Sequence, residues 1–270
     1  MKKKLLYIIF VALILFSNIS YASEIINAET SISDIYDLEV YSECILMMEK
    51  DTGDVLYERN AYEKMYPAST TKILSAIIVL ERCDLDEIAT VSSLAIRSVP
   101  ATYKLSNIQV GERLRVEDLL YTMLIPSAND AANVLAEHVA GSISAFAEIM
   151  NDKARELGCT NSNFTNPSGI HDENHYTTAY DLALIAKYAM NFDVFRKIVT
   201  TDTYTLPSTD LYPKSDRTFT ISNSLVRPSD KAYYYEYATG IKTGFTNPSK
   251  DCVVASAKKD DVEFIIVVLR

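Results

Sequence analysis

Hydrophobic and polar residues alternate in short runs near both ends of the chain, which is typical of half-buried β-strands. Near the amino terminus, the runs 43–50 (ECILMMEK) and 54–59 (DVLYER) flank 51–53 (DTG), which has the residue types of a hairpin turn. Near the carboxyl terminus, the runs 251–258 and 262–269 predict a second hairpin. Further predicted strands are 203–206, 217–222 and 239–243.

The middle of the chain instead repeats its apolar residues with a helical period. The predicted helices are 70–81, 116–125, 129–139, 142–157 and 178–190. Pro126 ends the second of these helices, and Gly158 ends the fourth. Thr178 and Asp181 (TAYD) have the form of a capping box at the start of the last. Strands at both chain ends with helices between them predict one sheet in which the first and last strands meet.

The first residues indicate export from the cytoplasm. Residues 1–4 are basic, residues 5–16 are apolar, and small residues precede a cleavage point after Ala22. This pattern predicts a signal peptide over 1–22, followed by a polar, flexible leader over 23–40. An uncleaved anchor is the alternative, although the apolar run is short for a spanning helix. In both cases the body of the protein works outside the cytoplasm.

Composition and charge narrow the class of partner. The 270 residues are 48% hydrophobic and 23% charged, an ordinary globular mix that is large enough to bury a substantial core. Cleavage after Ala22 removes three lysines and changes the formal charge from −10 to −13, because no acidic residue precedes Glu24. We therefore expect neither nucleic acid nor anionic lipid as the main partner.

Four scattered cysteines leave the redox chemistry open. No two of them form a CxxC pair, so a zinc site is not expected at these spacings. Export would permit disulfides, but the apolar or helical surroundings favour unpaired structural thiols. The four are Cys44, Cys83, Cys159 and Cys252.

Three short motifs carry candidate chemistry. Ser69 and Lys72 stand three residues apart at the start of the first predicted helix, so a hydroxyl and an amine share one face. Ser127 and Asn129 (SAN) occupy the break between two helices, and 242–244 (KTG) ends a predicted strand. The first motif alone also suits a helix cap beside a surface lysine. In this chain order, the three match the S-x-x-K, S-x-N and K-T-G set of penicillin-binding proteins and class A β-lactamases.

The resemblance extends well beyond these motifs. The segments YPASTTKILSAIIVLE, VEDLLYTMLIPSANDAANVLAEHVAGS, HYTTAYDLALIAKYA and TGIKTGFTNPSKDCVVASA resemble D-alanyl-D-alanine carboxypeptidases of the low-molecular-mass penicillin-binding protein type. The similarity runs from about residue 43 to residue 270. It implies an α/β (α+β) fold of the β-lactamase/transpeptidase-like type, in a catalytic domain over 41–270. This fold has a mostly antiparallel five-stranded sheet from both chain ends, helices on its faces and an inserted helical subdomain.

One departure from the family pattern concerns the carboxyl terminus. Family members usually continue past a strand like 262–269 with a helix that covers the sheet, and often with a second domain and a membrane anchor. Because the sequence stops at Arg270, the domain is expected to lack these parts and to leave one sheet face open. A truncated product and a covering partner chain both remain open. Membrane contact is expected only through an uncleaved signal segment or a missing anchor.

The resemblance implies a serine-type D-Ala-D-Ala carboxypeptidase that trims peptidoglycan stem peptides and is acylated by β-lactam antibiotics. Ser69 would be the nucleophile, and Lys72 can be its base only if neutral, which burial and Lys242 would favour. Ser127 could relay a proton to the leaving D-alanine, and Asn129 could hydrogen-bond the substrate backbone.

The KTG motif is expected to bind the substrate carboxylate. Lys242 offers a charge and Thr243 a hydroxyl donor, while Gly244 completes this substrate-binding group. Their strand could accept the extended peptide as an added strand. The oxyanion hole, carried over from the family, consists of the backbone N–H groups of Ser69 and Phe245. Neither a metal nor an organic cofactor is expected.

Two other functions are weighed against this one. A β-lactamase would need an ExxxN loop for fast deacylation, and Glu173 directly beside Asn174 does not match that spacing. A non-catalytic binder of cell-wall peptides would not need the activated pair Ser69 and Lys72.

Simpler roles are also considered for several polar residues. His171 and His175 suggest a metal site, but their segment is rich in turn residues, so their spacing has no helical meaning. Ser127 and Asn129 could also cap the helix that follows them. His138 is expected to face a helix surface without a role.

Overall fold

The computed structural model describes residues 41–270; the predicted signal peptide (1–22) and leader (23–40) lie outside the described residues. Over that range, no helix combines the length and apolar character needed to span a bilayer. The strands are β1 (Cys44–Glu49), β2 (Val55–Arg59), β3 (Ile88–Thr90), β4 (Arg113–Arg115), β5 (Thr203–Thr205), β6 (Thr218–Thr220), β7 (Ala238–Thr246), β8 (Lys250–Lys259) and β9 (Val262–Leu269). The α-helices are α1 (Lys72–Arg82), α2 (Ser93–Arg97), α3 (Val116–Leu124), α4 (Asn129–Ala140), α5 (Ile143–Glu156), α6 (Ala179–Ala189) and α7 (Asp193–Val199). Short 3-10 helices cover Ala68–Thr71 and Ser224–Val226.

The main sheet has five strands in the order β2-β1-β9-β8-β7, and every neighbouring pair is antiparallel. Cys44 of β1 lies opposite Leu269 of β9, so strands from the two ends of the described chain pair directly. This confirms the predicted meeting of first and last strands. β7 is longer than the predicted 239–243 and forms one edge of the sheet.

The segments predicted as strands at 203–206 and 217–222 do contain strands, but these pair with each other in a separate two-stranded sheet. At three residues each, β5 and β6 are too short to cover a core face. Four further elements were not predicted. β3, β4, α2 and α7 have only three to seven residues each, so their sequences contain too few repeats to establish a period.

Helix α1 lies at the centre of the core. It contacts α3, α4, α5 and α6, so it must be apolar on nearly all sides. Ile73, Ile77 and Ile78 are completely buried, and each such side chain contributes about 1.5–3 kcal/mol of hydrophobic free energy. The predicted helix began at residue 70, but the chain first forms the tighter 3-10 turn Ala68–Thr71 and becomes α-helical only at Lys72.

Both faces of the main sheet bury apolar side chains. On the inner face, where α6 packs, Leu46 and Ile265 are fully buried. On the other face, Met47 and Phe264 cluster with Tyr235, from the segment before β7, and each is less than a tenth exposed. The expectation of a sheet face open to solvent is therefore wrong for this part of the sheet.

A buried ion pair joins the two small sheets. Arg217, next to β6, makes two hydrogen bonds to Glu112, next to β4, at 2.6 and 3.0 Å. The side chains are 3% and 0% exposed. Thr209 donates a further hydrogen bond to the same carboxylate at 2.7 Å. Because both charges are desolvated, each depends on its partner.

Glu112→Gln should lower the free energy of unfolding by about 3–5 kcal/mol, because it leaves the Arg217 guanidinium buried without a counter-charge. Urea denaturation measures this. Glu117→Gln is the matched control, since it breaks a partly exposed pair with Arg115 and should cost less than about 1 kcal/mol. Equal losses in the two variants would contradict this account.

Candidate active site

The 3-10 turn Ala68–Thr71 holds Ser69 at the entrance to helix α1. Ala68 has a left-handed backbone, with φ of +49°. Two threonine hydroxyls stabilise the turn, since Thr70 donates to the Pro67 carbonyl and Thr71 to the Ala68 carbonyl, each at 2.8 Å. These local bonds fix the serine's position before any partner is considered.

Lys72, the first residue of α1, is completely buried beside this turn. Its Nζ lies 3.0 Å from Ser69 Oγ, 2.8 Å from Asn129 Oδ1 and 2.6 Å from the Ser168 carbonyl oxygen. The amine therefore has three oxygen neighbours from three separate segments. The predicted pair of Ser69 and Lys72 is brought into direct contact.

The surroundings of Lys72 favour its neutral form. Burial lowers its pKa well below the ordinary value, and the nearby cations Lys242 and Lys104 lower it further, against a smaller opposing effect of Asp130. The amine also lies near the amino-terminal ends of α1 and α4, where the helix dipoles are positive. A hydroxyl next to a neutral amine is the arrangement of a nucleophile beside its base.

Ser127 and Asn129 come from the connection between α3 and α4. Ser127 has a left-handed backbone, with φ of +69°, and its buried Oγ has no hydrogen-bond partner among residues 41–270. Asn129 accepts from Lys72 through Oδ1 and donates through Nδ2 to the Lys104 carbonyl at 3.0 Å. Ala128 is the cap residue of α4 and makes no side-chain cap bond, so neither predicted residue fills that role.

Lys242 and Thr243 lie on edge strand β7. Lys242 is buried, and this burial, aided by Lys104, lowers its pKa to about 7. Its Nζ donates to the Thr243 carbonyl at 3.0 Å and lies 3.4 Å from Ser222 Oγ. Thr243 Oγ1 also donates to Ser222 Oγ, at 3.0 Å. Ser222 therefore supports both residues of the motif.

Gly244 lets strand β7 lie directly against the Ser69 turn. A Cβ at this position would be 2.9 Å from the Ser69 nitrogen and 3.1 Å from the Pro67 carbonyl oxygen, too close for a side chain. The two motifs thus meet backbone to backbone. The expected oxyanion donors, the N–H groups of Ser69 and Phe245, flank this contact in sequence.

A single cleft gathers nearly all the predicted site residues. Lys72 and Lys242 are buried close to its walls rather than lining it. Phe245 is 56% exposed. The predicted residues that line the cleft are Ser69, Ser127, Asn129, Thr243, Gly244 and Phe245.

Comparison with known proteins agrees with this geometry. Residues 29–270 match the family described as D-alanyl-D-alanine carboxypeptidase, peptidase family S11. The chain belongs to this family. The crystal structure of the Streptomyces K15 DD-transpeptidase is similar, with a TM-score of 0.78 and 31% identity over 84% of this chain and 89% of that chain. The likeness confirms the β-lactamase/transpeptidase-like fold expected from the sequence.

Curated relatives show the same membership. The D-alanyl-D-alanine carboxypeptidase DacF of Bacillus subtilis is 36% identical over 83% of this chain and 56% of its own length. DacC of Escherichia coli is 31% identical over 83% of this chain and 55% of its own length. The D-alanyl-D-alanine carboxypeptidase of Streptomyces K15 is 32% identical over 82% of this chain and 78% of its own. The chain thus spans little more than half the length of the first two.

In this carboxypeptidase-family chain, a loop before α6 contacts the buried Lys72 amine. Asn166 Oδ1 accepts hydrogen bonds from the backbone N–H groups of Ser168, Gly169 and Ile170 at 2.8–3.2 Å. The loop is therefore wound around one side-chain oxygen. This winding aims the Ser168 carbonyl at Lys72.

His175, from the same loop, supports the Ser69 turn. Its Nδ1 accepts the Thr165 N–H at 3.1 Å, so the neutral ring carries its proton on Nε2, which lies 2.9 Å from Thr71 Oγ1. Burial lowers the pKa of His175 to about 4. His171 instead packs edge-on against Tyr66. The two histidines proposed and rejected as a metal pair thus have different partners.

Two supporting residues of the site, Ser222 and Lys104, were missed in the sequence. Ser222 lies in the irregular segment after β6, and Lys104 contributes both a backbone carbonyl and a charge. Ser222 ends the run 217–222, which was predicted as a strand, and nothing in the residue spacing there or around Lys104 indicated that these groups would face the motifs.

Gly169→Ala should lower the free energy of unfolding by about 3–4 kcal/mol, combining overpacking with left-handed strain. A Cβ there would lie 1.8 Å from the Ala68 carbonyl oxygen, at a backbone φ of +79°. Gly141→Ala is the matched control, because Gly141 has φ of +76° with open space around it and should cost only about 1–2 kcal/mol. Urea denaturation of both variants decides. If both variants lost a similar free energy of unfolding, the close contact of Gly169 with the serine turn would contribute nothing to the effect of the substitution.

Proposed function

We propose that this chain is a serine-type D-Ala-D-Ala carboxypeptidase. It would remove the terminal D-alanine from peptidoglycan stem peptides through an acyl-enzyme on Ser69, and penicillin would acylate the same serine. The observation that carries the proposal is the 3.0 Å contact between Ser69 Oγ and the buried, neutral-favouring amine of Lys72. Family membership supports this substrate class.

The hydrogen bonds around Lys72 support its role as the base. A neutral amine can donate two hydrogen bonds and accept one. Asn129 Oδ1 and the Ser168 carbonyl can only accept, so they take the two donated protons. The remaining lone pair then faces the Ser69 hydroxyl, which donates its proton as its oxygen attacks the substrate carbonyl.

The proposed oxyanion hole uses the backbone N–H groups of Ser69 and Phe245. Negative charge develops on the carbonyl oxygen as Ser69 adds to it, and two fixed donors stabilise that charge. The close approach of Gly244 to the Ser69 nitrogen supports this assignment, because it draws β7 up to the turn. Loss of one such donor typically slows a reaction by about 10²–10³-fold.

Ser127 is the proposed proton donor to the leaving D-alanine. Its buried hydroxyl has no partner among the described residues, and both it and Ser69 line the cleft. A hydroxyl in this position can pass a proton from protonated Lys72 to the departing amine nitrogen. This returns the lysine to its neutral state for the second half of the reaction.

Lys242 and Thr243 are proposed to bind the carboxylate of the terminal D-alanine. Lys242 sits in a buried position where its charge is costly without a counter-ion. A bound carboxylate supplies that counter-ion and raises the pKa of Lys242 again. The Thr243 hydroxyl can turn from Ser222 to the substrate. A peptide with a free D-Ala carboxylate would therefore bind better than the same peptide with an amidated carboxyl terminus.

The edge position of β7 suits an extended substrate. Among the described residues, β7 pairs only with β8 in the main sheet, so its other edge can take a stem peptide as an added strand. Asn129 could hydrogen-bond the same peptide from the opposite wall of the cleft. Backbone recognition of this kind tolerates different stem residues.

Water would then hydrolyse the acyl-enzyme without metal or organic cofactor. The β-lactamase alternative requires a carboxylate positioned to activate this water. Glu173 is exposed and does not belong to the residues that line the cleft, so it does not supply that carboxylate. We also propose that the protein acts outside the cytoplasm, where its cell-wall substrate lies.

Ser69→Ala should abolish covalent labelling by a fluorescent penicillin and lower D-Ala release from a D-Ala-D-Ala peptide at least about 10⁴-fold. Intact-protein mass should show a lasting one-to-one adduct on the parent and on the control Ser144→Ala, a change to an exposed serine. An adduct that persists on Ser69→Ala would refute the assignment. Rapid drug loss without an adduct on the parent would favour a β-lactamase.

On the alkaline side of its pH profile, kcat/KM should decline as the pH rises through about 7. In Lys242→Arg this decline should occur at a higher pH. In the free enzyme, Lys242 loses its charge as pH rises through about 7, and with it the attraction for the substrate carboxylate. Arginine stays charged throughout this range. In the parent, kcat should decline at a higher pH than kcat/KM, because the bound carboxylate stabilises the charged form of Lys242. An unchanged kcat/KM limb in Lys242→Arg would rule out Lys242 as its origin.

A further inference from the structure

Helices α1 and α4 both begin at the cleft and both end at a second polar cluster. Lys72 and Asn129, in contact with each other, are the first residues of the two helices. Cys83 directly follows α1, and His138 lies in the last turn of α4. At about 1.5 Å per residue, the cluster lies about 15 Å from the cleft along both helices.

Three metal-ligating side chains converge in this cluster. Cys83 Sγ, a carboxylate oxygen of Glu87 and a ring nitrogen of His138 all lie within 4.8 Å of one another. His138 Nε2 is 2.9 Å from Glu87 Oε2, and Glu87 Oε1 accepts the Asp84 N–H at 2.6 Å. The carboxylate is thereby held towards the other two groups.

We propose that Cys83, Glu87 and His138 bind a zinc ion, with water as the fourth ligand. Thiolate, imidazole and carboxylate are the three ligand types that Zn²⁺ takes in tetrahedral sites, and a thiolate disfavours Mg²⁺ and Ca²⁺. Tetrahedral ligand atoms around zinc are about 3.5 Å apart, so His138 Nε2 and Glu87 Oε2, now 2.9 Å apart, need to separate slightly, while Cys83 Sγ, within 4.8 Å of both, needs to move by no more than about 1 Å. Their exposed fractions, 22% for His138 and 41% for Glu87, leave a path for the ion.

The local field favours a cation at this position. The negative ends of the dipoles of α1 and α4 meet here. The carboxylates of Glu87 and Asp84 add negative charge beside Cys83. The same negative charges attract a divalent ion, which in turn stabilises the thiolate. Binding then releases one proton from Cys83, while His138 binds as a neutral ring and Glu87 as a carboxylate.

The alternative is a surface hydrogen bond between Glu87 and His138 beside an unrelated thiol. The proposed ion would instead join the carboxyl-terminal ends of α1 and α4 and stabilise the fold without entering the cleft. These accounts differ in one observable, since only the metal site contains a bond from sulfur to the ion.

Titration of the reduced, metal-free protein with Co²⁺, a spectroscopic substitute for Zn²⁺, tests the proposal. We expect one Co²⁺ ion to bind per chain and to give a sulfur-to-cobalt charge-transfer band in the near ultraviolet. Adding Zn²⁺ should displace the Co²⁺ and abolish the band. Cys83→Ser should remove the band. His138→Gln and Glu87→Gln should each weaken binding at least about 10–100-fold.

Asp86→Asn removes the same charge as Glu87→Gln one residue earlier in the chain and should leave the spectrum unchanged. Thermal unfolding supplies a second readout, with Zn²⁺ raising the Tm of the parent but not of His138→Gln. Penicillin labelling of Ser69 confirms that each variant is folded. Absence of the sulfur band from the parent, or its persistence in Cys83→Ser, would overturn the proposal.

Discussion

The complete burial of the Lys72 amine is the constraint on which the rest of the site depends. A buried amine must find acceptors for its protons, because an unpaired polar group costs about 1–3 kcal/mol. Here the acceptors come from α4, through Asn129, and from the loop before α6, through Ser168. The lysine can therefore be satisfied only when these separate segments have docked. The proposed base is therefore complete only when the whole fold has formed.

This requirement explains why backbone, rather than side chains, packs around the serine turn. Gly169 and Gly244 approach the turn so closely that a Cβ at either position would overlap Ala68 or Ser69. Larger residues would push the loop or β7 outwards and move the acceptors away from the amine. The close packing of these glycines thus fixes the position of Ser69 relative to the sheet.

The sequence predicted the parts whose patterns are long or chemically distinctive. Strands β1, β2, β8 and β9 and the main helices have clear periods, and the three motifs led to residues that meet at one cleft. Ser222 and Lys104 could not be predicted, because their contacts are set by how irregular segments pass over the site. β5 and β6 were predicted as strands, but strand propensity alone does not specify the partner of a three-residue strand.

The two ends of α1 and α4 show how one pair of helices can favour opposite chemistry. At the amino-terminal ends, burial together with the cations Lys242 and Lys104 and the positive dipoles disfavours an ammonium at Lys72. At the carboxyl-terminal ends, negative dipoles and the carboxylates of Asp84 and Glu87 favour a bound cation. Because the helices run side by side in the same direction, their dipoles reinforce each other at both ends. Parallel packing of α1 and α4 therefore supports both the proposed pair of Ser69 and Lys72 and the proposed metal site.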